Sequence, residues 1–575
     1  MNAKKFLTLL LAFVMMMSLM ACGGSAPDEK EDAPAANAGA ADKPAEESDS
    51  QVPDYLNMDS QMPIVKEGTD ITLKVMVVNG PLYQNLGSLD EVYFTEAYEK
   101  RSGVNIEWVE VPSESFGDQL AMMLATNDLP DVILKGDVSN ANQYKYGSQG
   151  YFLNLMDNDL LQTYAPNYWA LCQKYPEILS SSQMPDGEIY SLGMVRNSTG
   201  STVTSKLFFN QEWLDRLELS VPTTQDELCN VLEQFKYGDP NGNGKQDEVG
   251  LIMKPEHLEF VTMGMFGLGN RGRNNAFIDW DNENSCVRYF ATTDEYRAWV
   301  EWVAKLYQEG LINKEYFDIS ESELGLSITN NTCGAFAYIN LCMIDEATQA
   351  KFTYLDGALT GSGGHNDYYG TNSIGSTGSY IITTACEHPE VALRWADYFY
   401  SDEGSLFFYY GEEGETFNTL EDGTYKFTDE ILADFYAGTN SYDGCAVKVS
   451  LYGYGNTPTM TKVPYNSADD NKGIALDAAN ALIEDCAIAW PEFTFTRQEQ
   501  RVYEDQKADI DKFVRSKRDA WIMGQEKLTD ESWQNFLTTI ERMGLQDVLA
   551  VYEAALERAY AGGFKEGYHT LNEFE

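Results

Sequence analysis

The sequence predicts an α/β protein of more than one domain, with a mainly parallel sheet and a helical C-terminal region. Three observations predict it. Strand-like and helix-like runs alternate from Ile71 to Leu134. The chain's 575 residues exceed what one hydrophobic core spans. From about Gln498 to Ala561 the pattern is almost wholly helical, interrupted at Gly524 and Gly544.

Taken in order, "ITLKVMVVN" reads as a buried strand that opens the folded part near Ile71. "DEVYFTEAYEKRSG" has helical spacing and stops at Gly103. "VNIEWVEVP" is a second strand. "FGDQLAMMLATNDLPDVILKGD" gives a helix, a proline-marked break and a third strand, Val132 to Leu134. In "VPTTQDELCNVLEQFK", Thr224 and Glu227 fit a capping box. Leu228, Val231, Leu232 and Phe235 then fall at i, i+3, i+4 and i+7 on one face. "EVGLIM" reads as a strand, and "EYRAWVEWVAKLYQEGLI" and "PEVALRWADYFYSDEG" as amphipathic helices.

The first residues read as an address. "MNAKKFLTLLLAFVMMMSLMACGG" places Lys4 and Lys5 before an apolar run from Phe6 to Met20. Such a run of about 15 residues is shorter than the roughly 20 that cross a bilayer, so residues 1–21 are expected to be a secretory signal. Leu19-Met20-Ala21-Cys22 resembles a bacterial lipobox. That resemblance implies lipidation of the Cys22 thiol by an acyl chain such as palmitate. The segment 22–65 is rich in Ala, Pro, Ser, Asp and Glu without apolar period, so a disordered acidic tether is expected there. The predicted location is the outer face of the cell membrane, held by lipid alone.

Lys and Arg total 40 against 90 Asp and Glu, a net charge of −50. That field excludes nucleic acid as a partner and repels anionic headgroups. The 9 cysteines form no CxxC pair, which argues against zinc fingers and redox motifs, and their scatter suggests buried thiols. The 4 histidines make no HExxH, and neither GxSxG nor GxxxxGK[ST] occurs.

The runs "LATNDLPDVI", "FFNQEWLDRLELSVPTTQDEL", "KLYQEGLI", "HPEVALRWADYFYSDEG" and "WIMGQEKLTDESWQNFLTTIERMGLQDVL" together resemble extracellular solute-binding lipoproteins of ABC importers. The branch is the family 1 type that serves oligosaccharide uptake in Gram-positive bacteria. The resemblance implies a two-lobe periplasmic-binding-protein-like (type II) fold with an interlobe cleft. Lobe 1 is then expected at 66–194 plus 375–428, and lobe 2 at 195–374 plus 429–575. It also implies a non-enzymatic monomer. Such a protein captures an oligosaccharide between its lobes and delivers it to ABC transporter permease subunits.

"DPNGNGKQDE" follows the capped helix. Oxygen side chains fall at positions 1, 3, 5 and 9, namely Asp239, Asn241, Asn243 and Asp247. Gly244 permits the sharp turn and Lys245 can offer its carbonyl. This matches the first part of a calcium loop. The loop departs from the EF-hand after that, because Glu248 stands at position 10 rather than 12 and a strand follows. Related binding proteins carry a similar loop, and the resemblance implies that Glu248 closes the cage. The expected role is structural: with its shell filled by protein oxygens, the ion keeps no open position for chemistry.

Sugars offer CH faces to aromatic rings and hydroxyls to polar side chains. In parallel sheets, ligands collect beyond the carboxyl ends of strands. That rule selects the loops after Val78 and Leu134, hence Tyr83, Lys135 and Asp137. Arg196 stands near the first lobe crossing, and Tyr338 and Asn340 at a strand end in "GAFAYIN". Trp490 precedes Pro491 in "AIAWPEF", and Glu413 lies in "YYGEEGETF", which resembles a loop of the same branch. Two rival readings remain: a peptide-binding or sensory lipoprotein of the same fold, and a secreted glycoside hydrolase.

Overall fold

A computed structural model of the chain describes residues 52–79, 88–341, 343–372, 374, 377–437, 442–451, 457–461, 472–486 and 489–564. The first stretch of chain supplies β1 (Thr72–Asn79), β2 (Asn105–Pro112) and β3 (Val132–Leu134). The middle supplies β4 (Lys206–Asn210), β5 (Val249–Ile252), β6 (Ile278–Asp281), β7 (Cys286–Tyr289), β8 (Cys333–Tyr338) and β9 (Phe352–Tyr354). A return stretch adds β10 (Tyr380–Ile382), β11 (Phe417–Thr419) and β12 (Tyr425–Phe427).

Two four-stranded sheets organise two lobes. In lobe 1 the order is β10-β3-β1-β2. β1 runs parallel to β2 and β3, and β10 closes the edge antiparallel to β3. Leu73, Val75 and Val77 enter one core while Met76 enters another on the opposite face. A parallel strand buried on both faces reads as a continuous apolar run, which is why "LKVMVV" shows no clean alternation. Helix Tyr93–Ser102 ends where Gly103 adopts φ 74, a left-handed cap open to glycine.

In lobe 2 the order is β5-β8-β4-β9. Only β5 and β8 are parallel; β4 runs antiparallel to both β8 and β9. The expectation of a mainly parallel sheet therefore holds for lobe 1 and fails here. β4 enters its sheet straight from a lobe crossing, without the crossover helix that would return it parallel. Helix Gln225–Tyr237 buries Leu228, Val231, Leu232 and Phe235 as its spacing demands. Thr224 Oγ1 accepts from Glu227 N at 3.3 Å, but the Glu227 carboxylate accepts from Thr223 N at 2.8 Å, one residue earlier than a capping box requires. The C-terminal stretch is helical through Ala508–Ile522, Asp530–Arg542 and Leu545–Ala561.

Two segment boundaries need correction. Leu56, Ile64 and Val65 are buried in the lobe 1 core, and Leu56 bridges Val65. Residues 52–65 are thus folded rather than tether, because their apolar side chains find partners on the Tyr93–Ser102 side of the sheet. Leu432, Cys445, Val447, Val449, Leu451 and Met460 also join the lobe 1 core. The chain leaves lobe 1 for the last time after Met460, not after 428. Beyond it, Ala479, Leu482 and Trp490 belong to the lobe 2 core. The seven cysteines among the described residues are free thiols. No helix among the described residues is long and apolar enough to cross a membrane.

Candidate functional site

Among the described residues, Val195 ties together three stretches where the chain passes between the lobes. It pairs antiparallel with Ile374 and parallel with Met460. Its N–H donates to Thr459 O at 2.9 Å, and its carbonyl accepts from Thr461 N at 3.1 Å. Arg196, expected to meet a ligand, staples this hinge. Its Nη1 donates to the carbonyls of Ile374 at 2.6 Å and Asn372 at 3.3 Å.

On the lobe 1 edge, β3 runs into Lys135 and Asp137, with φ of 59 and 46. Non-glycine residues seldom hold such angles, and they do so where surrounding bonds enforce them. Here Lys135 N donates to Ser379 O at 2.7 Å and Val138 N to Gly378 O at 3.4 Å. Asp137 is exposed at this edge. Lys135 is buried, and its Nζ donates to Leu451 O at 3.2 Å. Burial brings its pKa down to about 7. The Lys135 ammonium pins the returning chain to the sheet.

On the lobe 2 edge, β8 ends at Tyr338, followed by exposed Ile339 and half-buried Asn340. Lys206, at the start of neighbouring β4, fixes this exit by donating from Nζ to Ile339 O at 3.0 Å and Thr204 O at 3.2 Å. The Tyr338 ring lies against His257, centroids 5.1 Å apart. Ser205 Oγ and His257 Nδ1 are hydrogen-bonded at 2.8 Å.

A segment from Trp490 to Arg497 brings lobe 2 up to lobe 1. Thr494 Oγ1 donates to Gln183 O at 3.2 Å, and Arg497 Nη2 to Ser148 Oγ at 2.8 Å. A cavity of 180 Å³ lies between the lobes here, lined by Gln183 and Met184 on one side and Glu492, Phe493 and Thr494 on the other. Glu492 is open to solvent yet ringed by protein. Its pKa is raised, first by lost solvation, then by Asp137, while Arg196 opposes the rise. The charges of Asp137 and Arg196 thus both act on Glu492, a residue that the sequence reading did not select. Trp490, chosen for its place before Pro491, is fully buried with its ring against Trp280 and Phe493. It is core and presents no face for stacking. Glu492, two residues on in "WPEF", was the signal to read. Glu413 is exposed, and its Oε1 accepts from Thr419 N at 3.3 Å within its own hairpin loop. Tyr83 and Cys22 lie outside the described residues.

The sequence model of the bacterial extracellular solute-binding protein family matches residues 80–405, more than half of the chain. The chain belongs to the bacterial extracellular solute-binding proteins. Among curated members it is 26% identical over 526 residues to the fructooligosaccharide ABC transporter substrate-binding protein FusA of Streptococcus pneumoniae, covering 87% of this chain and 92% of that one. The polygalacturonan/rhamnogalacturonan-binding protein YtcQ of Bacillus subtilis is 25% identical over 220 residues, 38% of this chain and 41% of that one. Among solved structures, FusA in complex with kestose superposes with a TM-score of 0.67 at 23% identity, over 85% of this chain and 99% of that chain. An HMO-binding solute-binding protein from Bifidobacterium longum infantis gives 0.69 at 21% identity, over 85% and 99%. The two-lobe fold of these proteins is the fold of this chain.

This solute-binding protein carries its acidic loop at the sheet end away from the cleft, where β4 stops and β5 and β8 begin. Gly244 N donates to Asp239 Oδ1 at 3.2 Å, Asn243 N to Asn241 Oδ1 at 2.9 Å and Lys245 N to Asn243 Oδ1 at 2.7 Å. Asn241 and Asn243 both donate to Asp247 Oδ1, at 3.1 and 3.0 Å. Among the described residues, no three His, Cys, Asp or Glu side chains are gathered as metal ligands. Glu248 is the exception to the loop's internal satisfaction. It is buried, and both carboxylate oxygens lack a hydrogen-bond partner. Its pKa is raised by lost solvation, with Asp247 and Asp239 adding to the rise. A buried carboxylate that feels the charges of Asp239 and Asp247 is costly without a cation. The donor set, all oxygen, fits a hard one.

Proposed function

We propose that this protein captures an oligosaccharide between its lobes and hands it, chemically unchanged, to the permease of an ABC transporter. The observation that carries the reading is the junction itself. Glu492 of one lobe lines the inter-lobe cavity with Gln183 and Met184 of the other, and the charges of Asp137 and Arg196 both act on it. A guest held there touches both lobes and favours the closed form, which a permease can recognise. The relatives' named ligands, fructooligosaccharide for FusA and polygalacturonan/rhamnogalacturonan for YtcQ, support a carbohydrate guest.

The reading includes a lipid on Cys22 that holds the body at the outer membrane face. It also includes a calcium ion held by the side chains of Asp239, Asn241, Asn243, Asp247 and Glu248 and the carbonyl of Lys245. That ion stiffens the connection between helix Gln225–Tyr237 and β5. A solved FusA variant is described as an EF-hand mutant, which supports such a loop in relatives.

The test is thermal-shift screening of the purified protein against glycan and peptide panels. A bound glycan at one hundred times its Kd adds about 2.7 kcal/mol to folded stability, and the melting temperature rises with it. Stabilisation by peptides alone, or recovery of the glycan cleaved, overturns the reading.

A further inference from the structure

Lobe 2 holds a second cavity, of 370 Å³, that shares no lining residue with the one between the lobes. Its volume suits a small molecule. Phe277, Phe290, Phe317 and Tyr369 form an apolar wall, and Arg273, Arg515 and Arg518 bring three guanidinium groups to it. Arg273 and Phe277 come from the loop before β6, which Asn275 fixes by donating from Nδ2 to Pro491 O at 2.9 Å. Phe277 is held at φ 59, with Phe290 N donating to its carbonyl at 2.9 Å. A non-glycine residue keeps such an angle only where its surroundings over-determine it. Arg515 and Arg518 stand at i and i+3 on helix Ala508–Ile522, so both fall on one face.

The three guanidinium groups are not equally engaged. Arg518 is buried and bonded to two carboxylates, Glu259 and, from Nε at 2.8 Å, Asp519. Arg273 lies over the Phe260 ring, 3.8 Å from its centroid. Among the described residues its one hydrogen bond is long, 3.5 Å from Nη1 to Glu256 O. Arg515 lies 5.3 Å from the Phe277 centroid. Its one carboxylate contact among the described residues is Asp511 at 4.0 Å, and Asp511 is itself bonded to Lys507 at 2.5 Å. A guanidinium laid on an aromatic ring keeps its N–H edge for an acceptor.

We propose that this cavity binds a small organic oxyanion, with the Arg273 and Arg515 guanidinium groups on its charged head and the aromatic wall around its apolar body. A carboxylate or phosphate accepts paired N–H bonds from a guanidinium, which uses donors the protein leaves over. Glu259 and Asp519 do not oppose this, because Arg518 offsets them. Glu256 is exposed, so solvent screens its charge. Burial lowers the Arg273 pKa and the like charge of Arg515 adds to the fall, while Glu259, Glu256 and Tyr369 oppose it. An anion between the two guanidinium groups relieves that repulsion. Every lining residue belongs to lobe 2, so the site is complete without lobe 1 and separate from the guest between the lobes.

The experiment is calorimetric titration of the purified full-length protein with benzoate, phenyl phosphate, inorganic phosphate, benzyl alcohol and benzylamine. Benzoate, phenyl phosphate or both are expected to bind at millimolar concentration or below, and which of them binds identifies the head group. Benzyl alcohol lacks the charge, benzylamine reverses it and inorganic phosphate lacks the ring, so each should bind about tenfold more weakly or worse. Arg273→Ala and Arg515→Ala should each weaken the bound probe about tenfold or more. Arg515 is exposed, so its variant folds even where Arg273→Ala does not, and unliganded melting curves check both. Silence from both aromatic oxyanions overturns the inference. So does a bound probe whose affinity is unchanged in Arg515→Ala. Binding of benzyl alcohol, benzylamine or inorganic phosphate as tight as that of the aromatic oxyanions overturns it as well.

Discussion

Arg497 of lobe 2 donates to Ser148 of lobe 1, Nη2 to Oγ at 2.8 Å, across 349 residues of chain. The bond joins the two lobes, so a ligand that draws them together is expected to strengthen it. A charged donor to a neutral acceptor contributes about 1.5–3 kcal/mol at most. Arg497→Ala and Ser148→Ala are each expected to weaken ligand binding several-fold without lowering the melting temperature of the unliganded protein. The double variant should be no worse than Arg497→Ala alone. Additive losses in that cycle would mean the two side chains act separately.

Arg196 predicts a different pattern. Because its guanidinium ties the first crossing to the second, Arg196→Ala should lower unfolding stability by about 1.5–3 kcal/mol in the absence of any ligand. Denaturant titration checks this. A residue that met only the ligand would leave that curve where it was.

The acidic loop predicts a sign reversal at Glu248. Calcium should raise the melting temperature, and a chelator should return it. In Glu248→Gln the calcium increment should vanish, while the chelated variant should be at least as stable as the chelated wild type. Removing the charge relieves a buried carboxylate that has no partner. Equal calcium shifts in both proteins would remove Glu248 from the ligand set.

His257 predicts a pH dependence. Burial, helped by Arg273 and Lys254 and opposed by Glu256, lowers its pKa from 6.5 to about 4. The folded protein keeps the ring neutral where the unfolded chain takes up a proton. Stability from this group is therefore full above pH 6.5 and is lost as pH falls towards 4, by about 3 kcal/mol over the window. His257→Gln should flatten that part of the curve relative to wild type. An unchanged difference between pH 7 and pH 4.5 would show that His257 titrates normally.

The local elements were legible in the sequence. The third strand, Val132–Leu134, the Gly103 stop and the buried face Leu228, Val231, Leu232 and Phe235 all stand where periodicity and turn chemistry put them. These signals are short-range, so a window of a dozen residues contains them. The family resemblance, carried by several such windows in order, matches the family and the two-lobe fold found. What the windows could not contain is which distant segments share a core. The stretches that hold Leu432, Cys445, Val447, Val449, Leu451 and Met460 read like any other loop and short helix, yet these side chains pack into lobe 1. Arg196 and Ile374 are 178 residues apart, and nothing near Arg196 announces that its guanidinium will meet a hinge carbonyl. The same holds for Trp490 and Glu492. A sequence ranks tryptophan as the sugar-facing residue, but burial is decided by Trp280 and Phe493, which take the ring inward and leave the carboxylate at the junction. Short-range order fixes what each segment is; only long-range packing decides which of its side chains is left over to meet a guest.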